Sequence, residues 1–122
     1  MFTISRRLVI AVTLATALIS APVLAQDLTG TLKKIKETGV ITLGHRESSM
    51  PFSYYDDKRQ VVGYSQDMML KAVDAIKAEL KLPKLEIKLV PVTSENRITL
   101  VQDGTVDLEC GSTTNTTERQ KQ

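Results

Sequence analysis

The sequence has few of the side chains that carry most enzyme chemistry. It contains one Cys, one His and no Trp among 122 residues. A nucleophilic Cys needs a neighbouring base, and zinc sites draw most of their ligands from Cys and His, so single copies of each disfavour both kinds of centre. The glycines form neither a phosphate-cradling loop nor a nucleophile elbow. We therefore expect no enzyme activity, no metal and no cofactor.

A long membrane-crossing run is also missing. Arg6 and Arg7 precede an apolar run from Leu8 to Ile19, which is shorter than the roughly 20 residues that a spanning helix needs. Val23-Leu24-Ala25 follows, with small residues where a signal peptidase cuts. The first 25 residues are therefore predicted to be a cleavable export signal, and the protein is expected in the periplasm. Because the paired arginines also resemble a twin-arginine signal, the Sec and twin-arginine export routes both stay open.

The chain has no excess of one charge outside that segment. It carries 16 basic and 14 acidic residues, and two of the basic residues are the arginines of the export signal. Residues 26–122 are then formally neutral, and they hold no basic run that could follow a phosphate backbone. This excludes nucleic acid as an expected partner.

Short apolar runs alternate with helical stripes along residues 26–122, a length that allows one domain at most. The predicted strands are 40–44, 85–92 and 106–110, and the predicted helices are 29–37, 65–80 and 93–102. A hairpin or a long loop is expected at 53–64, and a further helix opens at Thr116. Parallel strands need crossover connections, which helices usually provide. The order of elements therefore predicts a three-layer α/β fold, in which helices cover a mostly parallel sheet.

Caps and inner faces can be assigned for two of the helices. Ser65 is expected to cap the longest helix, and Thr93 or Ser94 to cap the next one. Ile98 and Val101 are expected on the inner side of that next helix. The longest helix carries an apolar stripe at spacings of three and four: Met69, Ala72, Val73, Ile76 and Leu80.

Arginines and hydroxyl side chains follow all three predicted strand ends, where open α/β sheets bind their ligands. They are Arg46 after the first strand, Ser94 and Arg97 after the second, and Ser112, Thr114 and Arg119 after the third. Helix N-termini favour anions, and guanidinium groups form charge-assisted bonds with carboxylates. Three arginines at one edge therefore predict a ligand with more than one negative group.

Each of these residues also has a structural explanation. Arg97 or Arg119 alone is typical of a solvated helix face, and Ser94 alone is typical of a helix cap. His45 has no second His or Cys to form a metal site, so it is expected either in the core or behind the residues that contact a ligand. Only the placement of the arginines at equivalent strand ends favours binding.

Three stretches of the sequence resemble a known family. They are Gly44-His45-Arg46-Glu47-Ser48-Ser49-Met50-Pro51-Phe52-Ser53-Tyr54-Tyr55-Asp56, Val62-Gly63-Tyr64-Ser65-Gln66-Asp67 and Glu109-Cys110-Gly111-Ser112-Thr113-Thr114-Asn115. They are similar to the polar amino acid family of periplasmic solute-binding proteins, and within it to those for glutamate and aspartate. The resemblance runs from about residue 31 to the end of the sequence.

The resemblance implies a type II periplasmic-binding fold, in which two α/β lobes close on an amino acid. It implies L-glutamate or L-aspartate as ligand, the membrane permease subunits of an ABC transporter as partners, and a monomer. It assigns three side chains to the ligand's side-chain carboxylate: Arg46, Ser94 and Arg97. It assigns Thr114 and Arg119 to the α-carboxylate and Ser112 to the α-ammonium group.

The resemblance also implies that residues 26–122 form the N-terminal portion of lobe one, with lobe two outside this sequence. A truncated clamp of this kind is expected to bind weakly or not at all by itself. A cysteine partner for Cys110 would then lie in the missing part. Two alternatives stay open: an enzyme on the same fold, such as a dehydratase or lytic transglycosylase, and the sensor module of a receptor.

Overall fold

The computed structural model describes residues 28–122, so the predicted export signal, residues 1–25, lies outside the described residues. No helix in the described range combines the length and the hydropathy needed to cross a membrane. In chain order the elements are α1 (Gly30–Thr38), β1 (Val40–His45), β2 (Ser48–Ser49), β3 (Ser53–Tyr55), β4 (Val61–Val62), α2 (Tyr64–Glu79), β5 (Glu86–Pro91), α3 (Arg97–Gln102), β6 (Leu108–Glu109) and a 3₁₀ turn (Arg119–Lys121).

A parallel sheet in the order β5-β1-β6 carries the fold. β1 pairs with β5 along its whole length, from Val40 beside Glu86 to His45 beside Pro91. On its other side β1 pairs in parallel with β6. The central strand is covered by its neighbours and by helices, and Ile41 is completely buried. The predicted α/β class and the parallel sheet are confirmed.

The core lies between β1 and the two longer helices. Its buried members are Ile35 of α1, Ile41 and Leu43 of β1, and Met69, Val73 and Leu80 of α2 and its end. The three α2 residues belong to the stripe predicted from spacing, and burial of each apolar side chain contributes about 1.5–3 kcal/mol. The helical periodicity of the sequence therefore predicted this face of α2 correctly.

A second, small sheet projects beyond the end of β1. It is antiparallel and has the order β2-β3-β4. The turn between β3 and β4 is held by Asp56, whose Oδ1 accepts hydrogen bonds from the backbone N–H groups of Lys58 at 2.9 Å and Gln60 at 2.8 Å. The predicted hairpin is confirmed, and β2, which the sequence analysis left in a loop, adds a third strand.

The start of α2 differs from the prediction. The helix begins at Tyr64, after Gly63 in a left-handed conformation with φ of 118°. A Cβ on Gly63 would lie 2.5 Å from the carbonyl oxygen of Phe52, so only glycine fits this cap. Ser65 lies inside the helix, and its hydroxyl donates to the carbonyl of Gly111 at 2.7 Å. The hydroxyl joins α2 to the loop after β6 and does not cap the helix.

The inner face of α3 also differs from the prediction. The helix follows Asn96, without a side-chain cap bond. Val101 is 42% exposed, whereas Arg97 is the buried residue of the helix. β6 spans two residues instead of the predicted five, so it offers α3 a small apolar surface. The helix predicted from Thr116 is instead a 3₁₀ turn of three residues, Arg119–Lys121. The backbone N–H groups of Lys121 and Gln122 donate to carbonyls three residues earlier, which is the spacing of a 3₁₀ helix.

A buried carboxylate joins three elements below the strand ends. Oδ2 of Asp107 accepts the backbone N–H of Thr42 at 2.9 Å, and Oδ1 accepts Nζ of Lys34 at the same distance. Lys34 also donates to the carbonyl of Gly104 at 2.8 Å. The Asp107 side chain is 2% exposed. These bonds fix β1 against α1 and against the connection from α3 to β6.

Candidate ligand-binding site

The carboxyl ends of β1, β5 and β6 meet at one edge of the parallel sheet, because parallel strands end on the same side. Arg46 follows β1 directly, Ser94 comes three residues after the end of β5, and Ser112 comes three residues after the end of β6. The sequence-predicted groups therefore start from one rim. We call it the carboxyl edge.

Arg46 is held firmly at the carboxyl edge. Its backbone N–H donates to Ser53 Oγ at 2.9 Å, its Nε donates to Ser49 Oγ at 3.2 Å, and its Nη1 donates to the carbonyl of Val92 at 3.0 Å. The side chain therefore crosses from the end of β1 to the end of β5. Its other guanidinium N–H groups have no bond within the described residues.

Arg97 lies deeper, with 4% of its surface exposed. Its Nε donates to the carbonyl of Thr93 at 3.2 Å, its Nη2 donates to Ser94 Oγ at 2.9 Å, and its Nη1 donates to Thr113 Oγ1. Burial lowers the pKa of Arg97, the charge of Glu109 raises it, and the charges of Arg46 and Arg119 lower it. The charges of Arg46 and Arg119 thus both act on the buried guanidinium of Arg97.

Glu109, at the end of β6, is the acidic partner of this cluster. Its Oε1 lies 3.8 Å from Arg97 Nη1, and its side chain is 7% exposed. Oε1 also accepts the backbone N–H of Gly111 at 2.8 Å, and Oε2 accepts the Thr113 hydroxyl at 2.7 Å. The sequence analysis missed Glu109 as a functional candidate. Its position at a strand end was the signal that could have identified it.

Gly111 allows close packing between the two charged groups. A Cβ at this position would lie 2.6 Å from Cγ of Arg46 and 2.6 Å from Oε1 of Glu109. Real Cβ atoms essentially never approach so closely. A glycine is therefore required for Arg46 and Glu109 to keep their observed positions on either side of this loop.

The remaining predicted residues lie on the loop after β6 and at its end. Ser112 Oγ donates to Ser49 Oγ at 3.4 Å, and Ser49 is also the partner of Arg46. Arg119 donates from Nη1 to the carbonyl of Thr114 at 3.0 Å. The structure thus joins Arg97 to Ser94 and places Arg46 and Ser112 on one shared serine. It leaves the exposed Thr114 and the half-buried Arg119 as a separate pair. Ser49 and Thr113 were not predicted.

Glu95 is an exposed carboxylate beside the arginines. A hydrogen bond with Thr93 lowers the pKa of Glu95, its own backbone N–H lowers it further, and the charges of Arg46 and Arg97 act in the same direction. Glu95 is therefore ionised at neutral pH and lies near two cationic groups. The sequence analysis did not include it in the site.

Two depressions flank the arginines at the carboxyl edge. One of about 470 Å³ is lined by Phe52, Tyr64 and Ser65 and by the stretch 109–114. The other, of about 160 Å³, is lined by 46–48 and 92–95. A further depression, of about 500 Å³, lies beside the end of α2, away from the strand ends. Its lining contains no arginine and consists of Asp74, Lys77, Ala78, Lys81, Leu82 and Pro83. The first of these depressions offers hydroxyl and backbone amide groups, and the second includes the guanidinium group of Arg46.

Residues 28–122 contain no group of three or more His, Cys, Asp or Glu side chains arranged to hold a metal. His45 is 2% exposed, its Nδ1 lies 3.2 Å from the carbonyl oxygen of Arg46, and its ring packs edge-on against Tyr55 at 5.4 Å. The expected core position of His45 is confirmed. The chemistry that the carboxyl edge offers is hydrogen bonding and positive charge for an anionic ligand.

Comparison with known proteins places these features in a family. Residues 41–122 match the bacterial extracellular solute-binding proteins, family 3. The L-glutamate/L-aspartate-binding protein of Pseudomonas aeruginosa is 64% identical over 107 residues, which cover 87% of this chain and 35% of that protein. The glutamate/aspartate import solute-binding protein of Escherichia coli is 54% identical over 114 residues, which cover 93% of this chain and 38% of that protein.

Solved structures show the same fold. The cysteine-binding protein of Campylobacter jejuni matches with a TM-score of 0.66 and 26% identity, over 77% of this chain and 36% of that one. An ancestral cyclohexadienyl dehydratase matches with a TM-score of 0.65 and 26% identity, over 78% of this chain and 36% of that one. The chain spans little more than a third of the length of the curated relatives it matches. It belongs to the bacterial extracellular solute-binding proteins, family 3.

Proposed function

We propose that this chain carries part of the L-glutamate/L-aspartate site of an extracytoplasmic solute-binding protein. The protein delivers its ligand to the membrane permease subunits of an ABC transporter and acts as a monomer in the periplasm after export. The observation that carries the proposal is the placement of two guanidinium groups at the end of β5, where Arg46 Nη1 donates to the carbonyl of Val92 and Arg97 Nε donates to the carbonyl of the next residue, Thr93. The charge of Arg119 also acts on Arg97 and lowers its pKa. The names of the relatives, which are glutamate and aspartate proteins, support the choice of ligand.

Two parts of the edge divide the ligand's charges between them. Arg46, Ser94 and Arg97 lie around the ends of β1 and β5, and they take the side-chain carboxylate. The bonded pair of Thr114 and Arg119 takes the α-carboxylate. Charge-assisted hydrogen bonds of this kind contribute about 1.5–3 kcal/mol each when water is excluded.

Ser112 takes the α-ammonium group. Its hydroxyl oxygen keeps lone pairs that can accept from an ammonium, since its hydrogen points toward Ser49. Phe52 and Tyr64 line the larger depression beside it and offer apolar surface to the ligand's carbon chain. The proposed site therefore has donors for two carboxylates and an acceptor for one cation.

The described residues form an open edge, and water reaches most of it. Exposed ion pairs contribute about 0–1 kcal/mol, whereas the same pairs become stronger when a second lobe excludes water. We therefore expect the 122-residue chain to bind glutamate weakly by itself. Full affinity requires the cleft to be closed by further protein.

A second candidate is an enzyme on the same fold, because an ancestral dehydratase is among the structural matches. A dehydratase needs an acid or base that can move a proton at the substrate. Glu109 is 7% exposed and holds three contacts, and His45 is 2% exposed, so neither is free for that task. Glu95 is exposed, but its lowered pKa makes it a weak base. The geometry favours binding over catalysis.

The proposal can be tested in a hybrid protein. Residues 26–122 replace the aligned part of the Pseudomonas aeruginosa relative, which supplies the remainder of the fold. Isothermal titration calorimetry then measures the affinity of the hybrid for glutamate, aspartate, glutamine and arginine. The same titrations are made with an Arg97→Met variant. Lys88→Met, a substitution on the exposed strand β5, is the matched control. We expect glutamate and aspartate to bind at least roughly 100-fold more tightly than glutamine, a difference of about 2.8 kcal/mol. Preference for glutamine or arginine would refute the proposal.

A further inference from the structure

The carboxylate of Glu109 and the hydroxyl of Thr113 form a short chain that ends on Arg97. Thr113 Oγ1 donates its one hydrogen to Glu109 Oε2 at 2.7 Å. The hydroxyl oxygen is then left with lone pairs only, and one of them accepts Arg97 Nη1. The carboxylate therefore fixes the direction of the hydroxyl, and the hydroxyl fixes one arm of the guanidinium.

The direct ion pair is weaker than this indirect connection. Glu109 Oε1 lies 3.8 Å from Arg97 Nη1, beyond hydrogen-bonding distance. Oε1 is occupied by the backbone N–H of Gly111 at 2.8 Å. Since both carboxylate oxygens have partners, Glu109 cannot turn toward Arg97 without losing one of them. The hydroxyl of Thr113 is the link that transmits its position.

Burial makes the chain of contacts necessary. Arg97 and Glu109 have side chains that are 4% and 7% exposed, so their charges have lost most of their water. A buried charge requires a partner and filled hydrogen bonds. Thr113 itself is exposed, which allows its hydroxyl to be removed without opening a cavity in the core.

We propose that Glu109 and Thr113 are positioning residues that hold the Arg97 guanidinium in the orientation needed for a carboxylate. In this way they set the preference of the site for a ligand carboxylate over the corresponding neutral amide. This inference rests on the proposed function. A guanidinium that is fixed beforehand meets both oxygens of a carboxylate at little entropic cost. An amide accepts at one oxygen only, so it gains less from that fixed orientation.

Thr113→Val and Thr113→Ser in the hybrid protein test the inference. Valine keeps the shape and removes the hydroxyl, whereas serine keeps the hydroxyl. For Thr113→Val we expect about a tenfold loss of glutamate affinity, equal to about 1.4 kcal/mol, and less than about a threefold loss for glutamine. Thr113→Ser is expected to keep the glutamate-to-glutamine ratio within about twofold of the parent. A merely structural role would lower both affinities together and leave the ratio unchanged.

A double-mutant cycle separates the relay from a local effect of Thr113. In the Glu109→Met background, Thr113→Val should change the glutamate-to-glutamine ratio by less than about twofold, because no side-chain acceptor remains at position 109 to direct the hydroxyl. An unchanged tenfold effect in that background would overturn the inference. So would an unaltered ratio in Thr113→Val itself. If the parent hybrid binds no dicarboxylic amino acid, the proposed function fails first, and the inference falls with it.

Discussion

Replacement of Gly111 by alanine adds one methyl group at the tightest point of the carboxyl edge. The new Cβ would lie 2.6 Å from Cγ of Arg46 and 2.6 Å from Oε1 of Glu109, with Cδ of Arg46 at 3.3 Å. Gly111 is not among the glycines with positive φ, so alanine can adopt its backbone conformation. The effect of Gly111→Ala is therefore steric.

The size of the effect follows from the contacts of the displaced groups. Carbon atoms are normally about 3.5–4.0 Å apart, so Arg46 or Glu109 must move by roughly 1 Å. Overpacking of this kind costs about 1–3 kcal/mol. Arg46 is fixed at Ser49 and Val92 by bonds of 3.2 Å and 3.0 Å, and a shift of this size breaks at least one of them. We expect glutamate affinity to fall about ten- to hundredfold.

Calorimetric titration of the hybrid protein with glutamate measures this loss. Thr117→Ala is a suitable control, since Thr117 is exposed in the same part of the chain and has no side-chain hydrogen bond among the described residues. Its affinity should match that of the parent. If Gly111→Ala binds glutamate within about twofold of the parent, the close packing around Gly111 does not position Arg46, and our account of the edge is wrong.

Three further substitutions test the support beneath the edge. Asp107→Ala leaves the Thr42 N–H without its acceptor and should lower the free energy of unfolding by about 1–3 kcal/mol in a urea titration; a change below about 0.5 kcal/mol would contradict this. Ile41→Ala leaves a cavity at a fully buried position and should lower the free energy of unfolding by about 2–5 kcal/mol. An unchanged free energy of unfolding would show that Ile41 does not belong to the core. Thr93→Val should raise the pKa of Glu95 toward 4.5, as followed by NMR titration. Because the pKa of Glu95 is lower in the folded protein, the ionised carboxylate stabilises the fold above pH 4.5, and this stabilisation is lost as the pH falls through the folded-state pKa. An unmoved pKa of Glu95 in Thr93→Val would exclude Thr93 as the main cause of the shift.

The periodicity of the sequence predicted the parts of the fold that depend on one element and its immediate surroundings. β1 is a largely apolar, β-branched run, so it could be recognised as a strand covered on both sides. The buried face of α2, with Met69 and Val73, follows from helical spacing alone. The rim of arginines could be predicted because parallel strands place their ends together.

The errors concern residues whose environment depends on distant parts of the chain. Val101 has the spacing of an inner residue, yet it is 42% exposed, while the polar Arg97 is buried. Burial of Arg97 depends on acceptors from two other segments, at Thr93 and Thr113. The role of Glu109 depends on the same meeting of segments. Spacing along one helix contains no information about such partners.

The pairing of β1 has a consequence for the order of events during synthesis. Val40 of β1 aligns with Glu86 of β5, which is 46 positions later in the chain. At a synthesis rate of about 5–20 residues per second, β1 waits roughly 2–9 s for the partner that covers its whole length. During that interval its apolar run has no sheet to join. Nascent chains of this protein should therefore expose the apolar residues of β1 until Pro91 has emerged.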